Sequence, residues 1–387
     1  MAKFYLIASN INLRHYLTLI LRNAQKYWGK DTCKESLKLF NEERTNLEFT
    51  LRKIAAGQNE VQNCKELEDV VDACCQLAPY VQDCVSSKLY SDFFNGLLHF
   101  SESQKNVTKQ VEILCLLYDK SRRHGGDVTK ASEELIGRAI ALHGSPCFDR
   151  HSLSEVFYLS HYGRYLSQDL KRRKEAQPYL QEAISMFQKS ENASQVPVFD
   201  KGRILGQLGH NAKRSKHEKK ERYEEALYYY EKALHFRQRN YGKHVVTALS
   251  RKDLADYYLA TSELGKAEEN YEAAVQMFKD MEMTKQKEII QTYKNFGRCY
   301  EKMGKNDRAR QIFEMGSEIA ENTIEGNDKW KVRINTYLAL LLYSFKEHDK
   351  ADKLSKNVFQ MANELDMNRW PDSDKLKKIY ERRHTAS

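Results

Sequence analysis

Four Gly-Lys dipeptides are the residues of this chain that could begin a phosphate-binding loop, and the chemistry would be nucleotide binding. They lie at Gly29-Lys30, Gly242-Lys243, Gly265-Lys266 and Gly304-Lys305. A P-loop needs Ser or Thr directly after the lysine, because that hydroxyl binds Mg²⁺, and none of the four has one. Metalloprotease, kinase and nucleophile-elbow motifs are also missing from the sequence. We therefore expect no enzyme, and no catalytic, cofactor-binding or metal-binding residues.

The eight cysteines could bind a metal or form disulfides, but their spacing favours neither. They are Cys33, Cys64, Cys74, Cys75, Cys84, Cys115, Cys147 and Cys299. There is no Cys-x-x-Cys pair, and no pair of histidines has zinc-binding spacing. Helical proteins bury free thiols as small apolar groups. We therefore expect reduced cysteines in a cytoplasmic protein, and the short apolar run before Arg14 predicts neither a signal peptide nor a membrane span.

The composition is typical of a helical protein with a large charged surface. Charged residues make up 30% of the 387 residues, with only five prolines and 17 glycines. The net charge of +9, on 63 basic and 54 acidic residues, is a mild excess. A dedicated nucleic-acid-binding protein usually concentrates its excess on one face. Acidic peptides are therefore favoured over nucleic acid as partners, and a membrane partner is not expected.

A pattern of large and small residues recurs through the chain. Each copy has a large residue followed by a small one, as at Leu254-Ala255 and Phe296-Gly297, and a further small residue later. These later small residues are Ala131, Ala176, Ala226, Ala267, Ala309 and Ala351. The steps from 267 to 309 and from 309 to 351 are both 42 residues.

Two short antiparallel helices explain this spacing. The spacing of Ala267, Tyr271 and Ala274 is i, i+4 and i+7, and residues at this spacing share one face of a helix. Ser355 and Val358 replace the expected aromatic and small residues in the last copy. The small residues let the partner helix approach closely. Because one helix pair cannot bury its apolar face alone, the repeated pattern predicts a stack of pairs.

These landmarks resemble the tetratricopeptide repeat, and their long period resembles its kinesin-light-chain and nephrocystin subtype. The resemblance is clearest in YEEALYYYEKALHFRQRNYGKHVVTALSRKDLADYYLATSELGKAEENYEAAVQMF. It implies an all-α, right-handed α-solenoid (a superhelix) of about six helix-turn-helix repeats over residues 106–370. An irregular helical cap, residues 1–105, would precede the array, and a polar tail, residues 371–387, would follow it. The implied function is that of a non-catalytic scaffold or adaptor for other proteins.

Part of the expected cap resembles a second class of protein. The phrase FNEERTNLEFTLRKIAAG carries Glu43, Asn46 and Leu47 in a pattern similar to the segment that joins a winged helix to tetratricopeptide repeats in STAND-class, NLR-like signalling NTPases. This resemblance implies an alternative function. The chain would be the sensor arm of such a switch, without its NTPase motor.

In the resembling family, the first helix of each pair lines a concave face that holds an extended peptide. When positions are counted from each large-small pair, the inward positions here are mostly basic, so we expect a basic groove. They are His161, Arg164, Arg203, Gln207, His210, Lys213, Arg214, Lys252, Asp253, Asp256, Lys294, Asn295, Arg298, Glu301, Lys302, Arg333 and Tyr337. Only Asn295 keeps the asparagine that clamps the ligand backbone in the family. The expected ligand is partly acidic, with an apolar anchor near Leu259 or Tyr337.

The basic stretch KRSKHEKKER, from Lys213 to Arg222, lengthens the turn inside one repeat. The small residues Gly209 and Ala226 are 17 positions apart, against 12 between Ala255 and Ala267. The run contains two glutamates and no aromatic residue on which a base could stack. The pattern favours a solvated turn. Contact with an acidic partner is the next alternative, and RNA binding or nuclear import is a weaker one.

Overall fold

A computed structural model of the chain describes residues 2–57, 65–125, 130–150, 152–169, 171–189, 201–213, 220–282, 287–324, 326–365, 367 and 371–385. The regular structure in these ranges is α-helical throughout and comprises nineteen helices. Within the same ranges, every helix is too short or too polar to cross a lipid bilayer. The helices form two compact units, Met1–His244 and Val245–Ser387.

The first unit begins with six helices of varied length. They are α1 (Ala2–Tyr27), α2 (Cys33–Glu42), α3 (Arg44–Ala55), α4 (Lys65–Asp72), α5 (Cys74–Cys84) and α6 (Ser87–Ser103). Ser86 caps α6, since its side chain accepts a hydrogen bond of 3.3 Å from the backbone N–H of Leu89. Gly96 lets α6 cross α3 closely, because a Cβ there would lie 2.5 Å from the carbonyl oxygen of Ile54.

Three helix pairs complete the first unit. They are α7 (Val107–Gly125) with α8 (Lys130–His143), α9 (Leu153–Leu166) with α10 (Arg173–Lys189), and α11 (Lys201–Lys213) with α12 (Lys220–Tyr241). In each pair the two helices pack mainly on each other, and neighbouring pairs pack through α7 with α9 and through α10 with α11.

The second unit contains three more pairs and a final helix. They are α13 (Val245–Thr261) with α14 (Leu264–Asp280), α15 (Lys287–Lys302) with α16 (Asn306–Thr323), α17 (Lys329–Ser344) with α18 (His348–Glu364), and α19 (Pro371–Thr385). These consecutive pairs confirm the predicted all-α class and the stack of helix pairs. We call the first helix of each pair in either unit a first helix.

The small residues allow the close packing that the sequence predicts. Ala267, Tyr271 and Ala274 are fully buried along one side of α14. Gly209 faces the ring of Tyr230, and a Cβ at Gly209 would lie 2.8 Å from the ring carbon Cε1. Side chains of ordinary size at these positions would push the paired helices apart.

The predicted landmark of the first pair is wrong by one residue. Ala131 is exposed, whereas Ser132 is fully buried. The buried stripe of α8 therefore runs through Ser132, Ile136 and Ala139. The position requires a small side chain but not an apolar one, so serine serves where the other pairs use alanine.

The last pair keeps the predicted register with different residues. Ser355 and Val358 are fully buried on α18. The hydroxyl of Ser355 donates a hydrogen bond of 2.7 Å to the carbonyl oxygen of Ala351, so burial leaves no unpaired polar group.

The region expected to be a polar tail contains α19. This helix has Asp372 and Asp374 in its first turn and ends in basic residues, which is the favourable orientation relative to the helix dipole. Its Leu376 is fully buried, and it packs against α17 and α18. The stretch KRSKHEKKER lies outside the described residues, apart from the backbone of Lys213 and of residues 220–222.

Candidate protein-binding site

In the first unit, three predicted groove residues converge on a carboxylate that sequence reasoning missed. Arg164 Nη1 donates hydrogen bonds of 3.0 and 3.1 Å to the two carboxylate oxygens of Asp119, on α7. Arg203 Nη2, from α11, is bonded to Asp119 Oδ2. The same nitrogen lies 2.8 Å from His161 Nε2. Three successive first helices are thereby joined by one buried polar network.

Charge and protonation in this network are set by burial and by the two guanidinium groups. Burial acts to raise the pKa of Asp119, but Arg164 and Arg203 hold it well below its usual range. Burial and the positive charge of Arg203 lower the pKa of His161 to about 4. His161 is thus neutral at pH 7. Its Nδ1 donates to the carbonyl oxygen of Phe157 at 2.8 Å, which leaves Nε2 to accept from Arg203.

The remaining predicted residues of the first unit lie on α11 or beyond it. Gln207 and His210 are partly buried on α11. His210 Nδ1 lies 2.9 Å from the hydroxyl of Tyr230 on α12. The side chain of Lys213 and the whole of Arg214 are outside the described residues. Because Arg164 and Arg203 are paired with Asp119, this half of the predicted groove offers less free positive charge than the sequence indicated.

In the second unit, Asp256 is the centre of a polar cluster. Lys252 Nζ lies 3.0 Å from Asp256 Oδ2 and 2.9 Å from Asp253 Oδ1. The other oxygen of Asp256 accepts hydrogen bonds from Tyr271 Oη at 2.5 Å and from Asn295 Nδ2 at 2.8 Å. Asn295, the one residue that keeps the family's clamping identity, is therefore engaged with a side chain of its own unit.

Lys294 lies among further cations of the same unit. Burial and the charge of Arg298 lower the pKa of Lys294 to about 8, and Arg333 and Lys252 act in the same direction. The negative charge of Asp256 opposes them. Arg298 stacks over the ring of Tyr337 at 5.3 Å, and Arg333 over that of Trp330 at 5.1 Å. The structure thus brings four of the predicted basic residues together on three first helices.

The final helix reaches the Tyr337 end of this cluster. Tyr337 Oη donates a hydrogen bond of 2.6 Å to Asp372 Oδ2, in the first turn of α19. Burial raises the pKa of Glu301, while Arg298 and Lys375 of α19 oppose the shift. Lys302 Nζ donates to the carbonyl oxygen of Leu259 at 3.3 Å. Leu259 and Tyr337 are each only 8% exposed, so neither offers much surface to an apolar anchor.

One group of side chains in the described ranges could hold a metal ion. It comprises Cys74, Cys75 and Glu112 and lies apart from the predicted groove residues. This group could not be found by spacing in the sequence, because Glu112 stands 37 residues after Cys75 and only the packing of α5 on α7 brings the two together.

Comparison with known proteins agrees with the helix pairs. Residues 217–280 match the family model described as "Tetratricopeptide repeat". The match contains α12 to α14, and the consecutive helix pairs of the chain have the fold of this repeat. Residues 217–280 are therefore a tetratricopeptide-repeat segment of this chain. No curated protein matches its sequence.

Solved structures of several proteins are similar to this chain at low sequence identity. One is a Signal Transduction ATPase with Numerous Domains (STAND) protein with a tetratricopeptide repeat sensor, from Pyrococcus horikoshii, with a TM-score of 0.54 and 15% identity over 91% of this chain and 49% of that one. The Cut9–Hcn1 hetero-tetramer of APC/C has a TM-score of 0.50 and 12% identity, covering 93% of this chain and 62% of that chain. A putative kinesin light chain from Podosopora anserina has a TM-score of 0.45 and 16% identity, and the match covers 56% of this chain and 98% of that chain.

Proposed function

We propose that this chain is a non-catalytic scaffold or adaptor that captures a partly acidic segment of a partner protein. The binding surface is formed by Lys294, Arg298 and Arg333 on the first helices α15 and α17, with Lys302 at its edge. Lys252 of α13 is buried against Asp253 and Asp256 and contributes to the positive field of this cluster. Tetratricopeptide repeats generally act as protein-interaction scaffolds, which supports the class of function. The choice of this surface and of an acidic ligand is our inference.

The observation that carries the proposal is the gathering of Lys294, Arg298, Arg333 and Lys252 on three first helices, which together with burial lowers the pKa of Lys294. A lysine becomes easier to deprotonate when burial and other cations outweigh the nearby carboxylates. Here Arg298, Arg333 and Lys252 outweigh Asp256. A ligand carboxylate beside Lys294 would reverse this imbalance. The site therefore favours an acid, and the presence of Asp253 and Asp256 disfavours a uniformly acidic peptide.

Several weak contacts must act together in this binding mode. Partly exposed ion pairs contribute about 0–1 kcal/mol each. Cations gathered on one surface also raise the local concentration of an acidic ligand and speed its association, an effect that salt weakens. Affinity should therefore depend on the number of acids in the ligand and fall as the salt concentration rises.

Charge reversal tests the proposed surface. The variant Lys294→Glu/Arg298→Glu should lose capture of partners from a native lysate and lose binding to a labelled peptide with glutamates around a leucine centre. A matched control, Lys353→Glu/Lys356→Glu, makes the same charge change at exposed positions on α18. The control should bind like the unmodified chain, and both variants should keep the helical circular-dichroism signal.

Two outcomes would reject this surface. Equal binding by the unmodified chain and the Lys294→Glu/Arg298→Glu variant would show that the partner binds elsewhere. Equal loss in both double variants would show a dependence on total charge alone. A second peptide, with glutamine in place of every glutamate, separates acid recognition from apolar recognition, because only the acidic peptide should bind.

A second candidate function is the sensor arm of a STAND-type signalling switch. The FNEERTNLEFTLRKIAAG phrase favours it, because Glu43, Asn46 and Leu47 stand where that class has its joining segment. Asn46 Nδ2 donates to Glu43 Oε2 at 3.1 Å at the start of α3, and Leu47 is buried. Co-purification with an ATPase that is released by nucleotide would support this function. RNA binding through the basic turn is a weaker alternative, and a steep loss of RNA affinity with salt would be its signature.

The proposed setting is the cytoplasm. None of the seven cysteines in the described ranges is in a disulfide; six of them are buried, and Cys147 is exposed. Thiols persist unpaired in reducing compartments, which is why we infer this location.

A further inference from the structure

Two adjacent cysteines and a glutamate form a buried cluster in the first unit. Cys74 and Cys75 are the first two residues of α5, and Glu112 lies on α7. Their exposures are 0%, 7% and 4%. One ligand atom from each residue lies within 4.8 Å of the other two. We propose that this cluster binds a thiophilic divalent cation, for which Zn²⁺ is the representative ion.

The surroundings of Glu112 hold its carboxylate in place for such a role. Ser154, on α9, donates a hydrogen bond from its hydroxyl to Glu112 Oε1. Cys74 Sγ lies 3.3 Å from Oε2, the oxygen that faces the thiols. Partners of this kind, one step away from the ion, orient metal ligands and raise the affinity of natural sites. Glu112 is therefore fixed from one side while its other oxygen faces the sulfur atoms.

Lys109 supplies the charge that a metal complex here requires. Its Nζ lies 2.9 Å from Glu112 Oε2 and 3.0 Å from the carbonyl oxygen of Asp72. When Zn²⁺ binds, each thiol releases one proton to solvent, so two thiolates and one carboxylate carry −3 against +2 on the ion. The ammonium group of Lys109 cancels the remaining −1. A buried site of zero net charge avoids the large cost of an uncompensated charge.

The ligand types select the class of ion. Thiolate sulfur favours Zn²⁺ and similar thiophilic ions over Mg²⁺ or Ca²⁺, which prefer oxygen ligands. Three protein ligands leave one position of a tetrahedral zinc ion for a water molecule. The bound ion would connect α5, which precedes the helix pairs, to α7 of the first pair. It would thereby stabilise the first unit.

Cobalt substitution provides a direct optical test on the full chain. Co²⁺ in the site should give sulfur-to-cobalt charge-transfer absorption and the visible bands of tetrahedral coordination, with one ion per chain, and Zn²⁺ should abolish both. Cys75→Ser and Glu112→Gln should each weaken Co²⁺ binding at least about tenfold. The exposed Cys147 is the matched control, and Cys147→Ser should leave the spectrum unchanged.

Structural damage in the variants is separated from loss of ligands by measurements on the unmodified protein. X-ray absorption of the zinc-loaded chain should show two sulfur neighbours at about 2.3 Å and the remainder oxygen. Zinc should also raise the melting temperature of the unmodified chain. The proposal is overturned if Co²⁺ gives no charge-transfer absorption, if Cys75→Ser binds Co²⁺ as tightly as the unmodified chain, if Cys147→Ser weakens binding, or if zinc has no sulfur neighbours.

Discussion

The carboxylate of Asp31 accepts a hydrogen bond of 2.7 Å from the backbone N–H of Lys243, a residue 212 positions further along the chain. The backbone N–H of Asp31 donates in turn to the carbonyl oxygen of Tyr241 at 3.1 Å. Beside these bonds, Trp28 stacks on His244 with ring centroids 5.4 Å apart. The segment after α1 therefore packs against the segment after α12, and these contacts connect the first and last helices of the first unit.

Gly242 is the residue in this contact that we expect to be least tolerant of change. Its φ of +59° is costly for residues with a Cβ, and a Cβ there would collide with the Asp31 carboxylate. We expect Gly242→Ala to lower the free energy of unfolding by about 2–4 kcal/mol, measured by chemical denaturation.

The control for this variant is Gly137→Ala, on α8 of the same unit, where a Cβ would meet nothing within 4 Å. Alanine should stabilise that helix by up to about 1 kcal/mol. Equal stability of the Gly242 variant and the unmodified chain would mean that the Asp31 contact contributes nothing to the unit.

Asp119 should be more important for stability than an ordinary acidic residue. Asp119→Asn removes the charge that Arg164 and Arg203 share and leaves two partly buried guanidinium groups facing each other. We expect a loss of about 2–4 kcal/mol in the free energy of unfolding. Glu134→Gln, at an exposed position of α8, makes the same charge change and should cost less than about 0.5 kcal/mol. A similar small cost for both variants would contradict the network.

His161 should make the chain sensitive to acid. Its pKa is about 4 in the folded protein, against an ordinary value of 6.5. As the pH falls from 6.5 towards 4, His161 becomes protonated in the unfolded chain but stays neutral in the folded chain. The free energy of unfolding therefore decreases, by about 3 kcal/mol at most. In His161→Gln, whose amide oxygen can still accept from Arg203, this part of the pH dependence should be absent. Parallel stability curves for the two proteins would refute the assignment.

Lys294 should give ligand binding a pH dependence in the alkaline range. With a pKa of about 8 in the free protein, its side chain loses its charge as the pH rises from 7 to 9. An acidic ligand favours the charged form, so binding takes up a proton and the affinity should fall by about threefold to tenfold over this range. Lys294→Arg keeps its charge and should show a flat profile. Identical profiles would mean that the ligand does not contact Lys294.

The helix pairs could be predicted because their close packing requires particular residue sizes at regular positions that are near one another in the sequence. Close approach of two helices demands a small residue at a fixed register, as at Ala267 and Gly209, and the period of the pattern follows. The prediction of Ala131 as the buried small residue was wrong because the packing requires a small side chain of any kind. A search for alanine therefore overlooks Ser132. For α19, the acidic first turn and basic last turn were visible in the sequence and typical of a helix.

The polar networks could not be predicted in the same way. Asp119 lies on α7, outside the large-small pairs from which the inward positions were counted. Its partners Arg164 and Arg203 come from two other helices, and only the packed structure brings the three together. The cluster of Cys74, Cys75 and Glu112 and the contact of Asp31 with Lys243 likewise depend on helices that are distant in sequence. No local pattern encodes such contacts.

The Asp31–Lys243 contact also sets an order of events during synthesis. At about 5–20 residues per second, the ribosome needs roughly 10–40 s after Asp31 to make the residues that receive it. During that time Tyr27 and Trp28, both buried in the finished unit, have no Tyr241 or His244 to pack against. Until then Tyr27 has Tyr80 of α5 as an earlier partner, and the remaining faces of both rings stay unpacked for roughly 10–40 s.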